Sequence, residues 1–322
     1  MDRITLQGTD LSVSRLCYGN MTFGGQTDEA EAARIVDCCF ERGINFLDTA
    51  NVYNKGVSEE FFGKILGARR KDAVLASKVR GMMGAGPDEG GLSRGAIFKA
   101  IEDSLRRLKT DYVDLYYLHQ PDYSVPIEET LEAMDALVKQ GKVRYPAISN
   151  YAAWQLCRAR WLAGQHGYRP IHVAQMMWNL IARGLEQEFV PFAKDFGVSL
   201  VIYNPLAGGL LTGKQKRDAP IEGTRFDKNQ MYLDRYWHPA FFDAVEKLAA
   251  IAQEAGRSLI SLSFNWLLHH TATEVIILGS SRLGQLEQNL AACEEGPLAE
   301  DVVKKCDEVW AGLRGVTPKY NR

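Results

Sequence analysis

Long apolar runs are missing from this chain of 322 residues. None approaches the roughly 18 residues that a membrane-crossing helix needs, so the 46% hydrophobic content is expected to form the buried core of a soluble globular chain. A leader peptide is not expected, on similar grounds. Asp2 and Arg3 precede an alternation of Ile4, Leu6, Leu11 and Val13 that is too polar for a signal sequence's apolar centre. Neither sign of charge is in excess. With 38 Lys plus Arg against 40 Asp plus Glu, nothing points to nucleic acid or an anionic membrane as a partner. Cys17, Cys38, Cys39, Cys157, Cys293 and Cys306 form no C-x-x-C pair, and they read as reduced thiols of a cytoplasmic protein. The sequence also has no H-E-x-x-H, no Cys and His at zinc spacing and no G-x-S-x-G, which sets aside metal and serine-nucleophile chemistry.

What is present is a regular exchange between short apolar segments and helical periodicity, the pattern of repeated βα units. A turn at Gly8 to Asp10 predicts a β-hairpin ahead of the repeats. Strands are expected at Leu16–Tyr18, Ile44–Leu47, Ala73–Val79, Tyr112–Leu118, Val143–Ile148, Ile171–Ala174, Val198–Tyr203 and Val275–Leu278. Between them, Asp28 with Glu31 reads as a capping box, Ser58 and Ser93 as helix caps, and Pro126 as a helix start. Further helices are expected over Leu185–Phe196, Pro239–Ala255, Leu259–Leu268 and Glu300–Leu313. Eight strands, most followed by a helix, predict an α/β fold of the (β/α)8 TIM-barrel type, about 250 residues plus insertions. The insertions are the N-terminal β-hairpin and extra C-terminal helices. A doubly wound sheet fits less well, because no G-x-G-x-x-G follows the first strand. No Pro-, Ser- or Gly-rich linker divides the chain, so residues 1–322 read as a single domain.

In such a barrel, polar residues after the strands converge at the C-terminal face. Asp48, Tyr53, Lys78 and His119 follow three successive strands, and Ser149, Asn150, Gln175, Tyr203 and Asn204 end the next three. Tyrosine, lysine, aspartate and histidine at one face make a proton-transfer device. A free phenol titrates near ~10, and a nearby ammonium would ease its ionisation. Asp48 would hold Lys78 charged, and His119 would orient a carbonyl or share the proton. On residues alone, Gln175 reads equally well as a barrel-core amide. Gly208 to Lys214 spells G-x-x-x-x-G-K, yet Gln215 stands where a nucleoside-triphosphate loop needs Ser or Thr for magnesium. Gly279, Ser280, Ser281 and Arg282 lead into a helix and offer a phosphate backbone donors, a dipole end and a full charge.

The segments LDTANVY (47–53), ASK (76–78), YVDLYYLH (112–119), ISN (148–150) and ILGSSRLGQLEQN (277–289) together resemble the aldo-keto reductase superfamily over almost the whole chain. That resemblance implies an NADP-dependent oxidoreductase in which Asp48, Tyr53, Lys78 and His119 are the catalytic tetrad. Tyr53 would be the general acid when NADPH delivers hydride to a carbonyl, with Tyr53 and His119 also bordering the substrate. It places the nicotinamide carboxamide on Ser149, Asn150 and Gln175, and stacks Tyr203 on the ring. Further NADP contacts are implied at Asn20, Met21, Asp48, Asn204, Pro205, Leu206, Ala207, Gly208, Leu210, Lys214, Arg225, Gly279, Ser281, Arg282, Gln285 and Asn289. The same superfamily includes NADP-binding, redox-sensing regulatory subunits of potassium channels with little turnover. Those typically replace the histidine, so His119 favours chemistry.

A narrower resemblance runs through SNYAAW (149–154), YNPLAGGLLTGK (203–214), RYW (235–237), LEQNLAACEEGPL (286–298) and the terminal Pro318, Tyr320 and Arg322. These are similar to the aflatoxin-aldehyde reductase branch, which implies aldehydes and dicarbonyls, including succinic semialdehyde, as the small-molecule substrates. It also implies pairing as a homodimer, and Arg235 with Arg322 near the substrate, where they would hold a carboxylate bidentately.

Overall fold

The computed structural model describes residues 1–316. Two short antiparallel strands, β1 (Arg3–Thr5) and β2 (Ser12–Ser14), form the expected hairpin. Eight further strands close into a parallel barrel: β3 (Leu16–Gly19), β4 (Phe46–Asp48), β5 (Val74–Val79), β6 (Val113–Leu118), β7 (Val143–Ser149), β8 (Val173–Met177), β9 (Ser199–Tyr203) and β10 (Val275–Leu278). Their order around the barrel is the chain order, with β10 beside β3. Every residue of β5 and β6 is buried, as expected of parallel strands covered on both faces.

Eleven helices occur among the described residues: α1 (Glu29–Glu41), α2 (Val57–Leu66), α3 (Arg94–Leu108), α4 (Ile127–Lys139), α5 (Ala153–His166), α6 (Phe189–Asp195), α7 (Gln230–Tyr236), α8 (Pro239–Glu254), α9 (Leu259–His270), α10 (Leu283–Cys293) and α11 (Glu300–Arg314). Ser93 caps α3 by accepting from the Ala96 amide, and Pro126 precedes α4, both where the local chemistry put them. Three local expectations are corrected. Ser58 lies inside α2, and its hydroxyl instead donates to the Phe23 carbonyl at 2.8 Å. Asp28 caps α1, but the Glu31 carboxylate accepts from the Leu283 amide at 2.6 Å and closes no capping box. The helix expected over Leu185–Phe196 is a 3-10 turn, Gly184–Gln187, followed by the shorter α6.

The described residues divide into two compact units. The first comprises Met1–Met176, Phe192–Val201 and Ile277–Leu286; the second comprises Met177–Pro191, Ile202–Ile276 and the chain from Glu287 onward. At the N-terminal ends of its strands, the first unit ties its core with a charge network. Both carboxylate oxygens of buried Asp114 are used: Arg144 donates to one at 2.8 Å, and Arg70 and the Leu75 amide donate to the other at 2.9 Å. The second unit is centred on α9, buried on every side from Leu259 to Leu268. There Trp178 meets Trp266 edge-on at 5.9 Å, and the Arg183 guanidinium covers Trp266 while pairing with Asp307.

Candidate active site

Lys78, the penultimate residue of β5, has a fully buried ammonium. An unpaired cation there would be severely penalised, so its partners dictate the local structure. Nζ bonds to Asp48 Oδ1, at the end of β4, and donates to the Thr49 carbonyl at 2.7 Å. The Gln175 amide donates to the other Asp48 oxygen at 2.8 Å. Burial alone would lower the Lys78 pKa; Asp48 and Tyr53 beside it outweigh burial and carry it above the ordinary lysine value. For Asp48, burial acts upward against Lys78 and Gln175 and leaves the carboxyl above its ordinary value.

The third partner of the ammonium is Tyr53, whose hydroxyl lies 3.4 Å from Nζ. Tyr53 is partly exposed and opens a 3-10 turn, Tyr53–Gly56, in which Asn54 (φ 45°), Lys55 (φ 54°) and Gly56 (φ 94°) are successively left-handed. Such backbone persists only where the surroundings impose it. Here the Asn54 amide donates to the Met21 carbonyl at 3.0 Å and the Phe23 carbonyl at 2.8 Å. His119, directly after β6, presents its ring edge-on to Tyr53 with centroids 6.0 Å apart. Burial first, then Lys78 and Arg80, push its pKa down to about 3, so the imidazole is neutral at physiological pH.

Asp48, Tyr53, Lys78 and His119 are thus brought together, and Ser149, Asn150 and Gln175 join them. Ser149 pairs in register with Gln175, and the Asn150 amide donates to the His119 carbonyl at 2.9 Å and to Ser149 Oγ at 3.0 Å. Gln175 lies within β8, which runs on to Met177, rather than just past a strand ending at Ala174. Asn20 is buried beneath this group: its backbone amide donates to the Asp48 carbonyl at 3.1 Å, while its side-chain oxygen has no hydrogen-bond partner among the described residues. Met21 supplies the carbonyl that holds Asn54.

After β10, Gly279 is exposed, and the next turn is anchored by Tyr18 and Thr22, which both donate to the Ser280 carbonyl. Arg282 is exposed with no carboxylate in ion-pair range among the described residues. Gln285 turns back to accept from the Ser281 amide at 2.9 Å. The Ser281 amide, expected to face a phosphate, thus has an internal acceptor, and the nearby Leu283 amide is given to Glu31.

In the second unit, Tyr203 closes β9 and is partly exposed, and Asn204 follows with φ 54°. Pro205 and Leu206 lead into a 3-10 turn over Ala207–Thr212 that contains Gly208 and Leu210, and Lys214 beyond it is exposed. Arg225 donates to the Tyr232 hydroxyl at 3.1 Å, which in turn reaches Asn204 Oδ1 at 3.3 Å. The Arg235 guanidinium lies 5.7 Å from the same Tyr232 ring. Asn289 is buried on α10. Arg322 lies outside the described residues.

A family model described as the Aldo/keto reductase family matches residues 15–311. The chain belongs to that family. This aldo/keto reductase is 37% identical to mouse aflatoxin B1 aldehyde reductase member 2, over 94% of its own length and 86% of the relative's. It is 37% identical to human aldo-keto reductase family 7 member A3, over 94% and 96%. A probable voltage-gated potassium channel subunit beta from Arabidopsis thaliana is 36% identical, over 91% of each chain. Among the described residues of this aldo/keto reductase, no helix is long and apolar enough to cross a membrane, and no group of three or more His, Cys, Asp or Glu could hold a metal ion.

Proposed function

We propose that this protein is an NADPH-dependent reductase that converts aldehydes, and dicarbonyls, to alcohols in the cytoplasm. The observation that carries the reading is the buried Lys78 ammonium, fixed by Asp48 and Thr49 and reaching the hydroxyl of a partly exposed tyrosine beside a neutral histidine. Tyr53 is the proton donor. Its hydroxyl gives a proton to the carbonyl oxygen, and the phenolate left behind is stabilised by Lys78 at short range. Neutral His119 holds the carbonyl oxygen by a hydrogen bond and does not compete as an acid. Asp48 keeps Lys78 charged and aimed.

The residues fit a nicotinamide dinucleotide phosphate in their donor chemistry. Ser149 and Asn150 offer hydroxyl and amide groups for a carboxamide, exposed Gly279 offers close backbone approach, and Arg282 is an uncompensated charge for a 2'-phosphate. When bound, the cofactor supplies the hydride. A second reading, a regulatory subunit with little turnover, draws support from the relative named as a potassium channel subunit; His119 in contact with Tyr53 favours turnover.

The test is NADPH oxidation by the purified protein across aromatic aldehydes, short semialdehydes and diketones, with Arg282→Ala and Arg235→Ala in parallel. Aldehyde-dependent oxidation is expected. Arg282→Ala should weaken NADPH by on the order of tenfold and NADH little, matching one charge-assisted contact, and Arg235→Ala should selectively raise KM for the semialdehyde. Binding of NADPH with no oxidation by any carbonyl would favour the regulatory reading.

A further inference from the structure

The left-handed turn that carries Tyr53 is held from one side by Asn54. On its other side, Glu59 in the first turn of α2 is a completely buried carboxylate that the tetrad does not use. Its two oxygens have different partners. One accepts from the Ser77 hydroxyl at 2.5 Å, and the other accepts from the Arg107 guanidinium at 2.7 Å. Ser77 is the residue before Lys78 on β5, and by strand alternation its side chain leaves the face opposite to that of Lys78. Arg107, near the end of α3, passes under the turn itself: a Cβ on Gly56 would stand 2.8 Å from its Cδ and 2.9 Å from its Nε. Gly56 is therefore left without a side chain both by its φ of 94° and by the arginine beneath it. One carboxylate thus links three places: the helix that starts where the Tyr53 turn ends, the strand that carries Lys78, and the arginine on which the turn rests.

The geometry points to Glu59, with Ser77 and Arg107, as a positioning clamp that sets the Tyr53 hydroxyl against the Lys78 ammonium. This assignment rests on the reductase reading of the tetrad. Glu59 touches no reacting atom; it acts through the placement of Tyr53. A turn of three left-handed residues relaxes when one of its supports goes, and a displacement of about 1 Å between reacting groups can cost on the order of 100-fold in rate.

The experiment compares Glu59→Gln with the milder Ser77→Ala, which leaves the Glu59 and Arg107 ion pair intact. Three readouts are taken: single-turnover NADPH oxidation with an aldehyde, the NADPH dissociation constant by fluorescence, and titration of Tyr53 by NMR of ring-labelled tyrosine. The Tyr53 signal is assigned by its loss in Tyr53→Phe. Lys78 and His119 both face the phenol, and neither is altered. Both variants should slow turnover by on the order of tenfold or more, bind NADPH as the parent does, and titrate Tyr53 at higher pH than the parent. If they lose only thermal stability while rate and Tyr53 titration match the parent, the clamp is merely structural and the assignment is overturned. If the parent oxidises no NADPH with any carbonyl, the reductase reading fails instead. The Tyr53 titration then still decides whether Glu59 sets the phenol against Lys78.

Discussion

A lysine with no exposed surface dictates much of what surrounds it. Its charge cannot be left alone in the barrel, so Asp48 is recruited from the neighbouring strand and Gln175 from across the ring to satisfy Asp48. The sequence made this grouping legible because each of Asp48, Tyr53, Lys78 and His119 follows, or ends, a predictable strand. It could not make Glu59 legible: an acidic residue in the first turn of a helix reads as an ordinary partner of the helix dipole, and only the packing of α2 on β5 and α3 reveals its burial. His119 yields a residue-scale prediction. Its pKa is lowered from 6.5 to about 3 in the folded state, so between those values the unfolded chain binds more protons and stability falls as the solution is acidified. His119→Gln should flatten the dependence of denaturant midpoint on pH between about 6.5 and about 3. An unaltered slope would show that the histidine is not buried as described.

Elements divide the labour between the two ends of the strands. Strand β6 carries Asp114 near its start and leads into His119 at its finish, so one six-residue strand serves a charge network at one end and the candidate site at the other. Asp114→Asn should cost about 3 kcal/mol, since Arg70 and Arg144 would lose the charge they share. Chemical denaturation should show that loss, while kcat in the folded fraction stays at the parent level. A matching fall in kcat would mean the two ends are coupled. Helix α2 illustrates where sequence reading failed for a physical reason. Ser58 looks like a cap, but the left-handed backbone that ends at Gly56 already starts the helix, which frees the serine to hold Phe23. Likewise Glu31 fits a capping-box spacing, and the amide of Leu283, 252 residues further on, competes successfully for its carboxylate. Contacts so distant in sequence leave no local signal.

For the molecule as a whole, the absences noted first acquire a meaning. A near-zero net charge says nothing against an anionic cofactor when the cations that would meet it, such as Arg282, are local and uncompensated. The barrel order was legible because alternating periodicities are a whole-chain property, whereas side-chain routes in the segment after β9 depend on packing within the second unit. The central claim is that Tyr53, poised by Lys78, protonates the carbonyl oxygen. Mixing enzyme with stoichiometric NADPH and an aldehyde, and following one turnover in the parent and in Tyr53→Phe, tests it most directly. The account predicts that the variant binds NADPH as tightly as the parent and reacts more slowly by about 100-fold to 10,000-fold. Turnover at the parent's rate in Tyr53→Phe would contradict it.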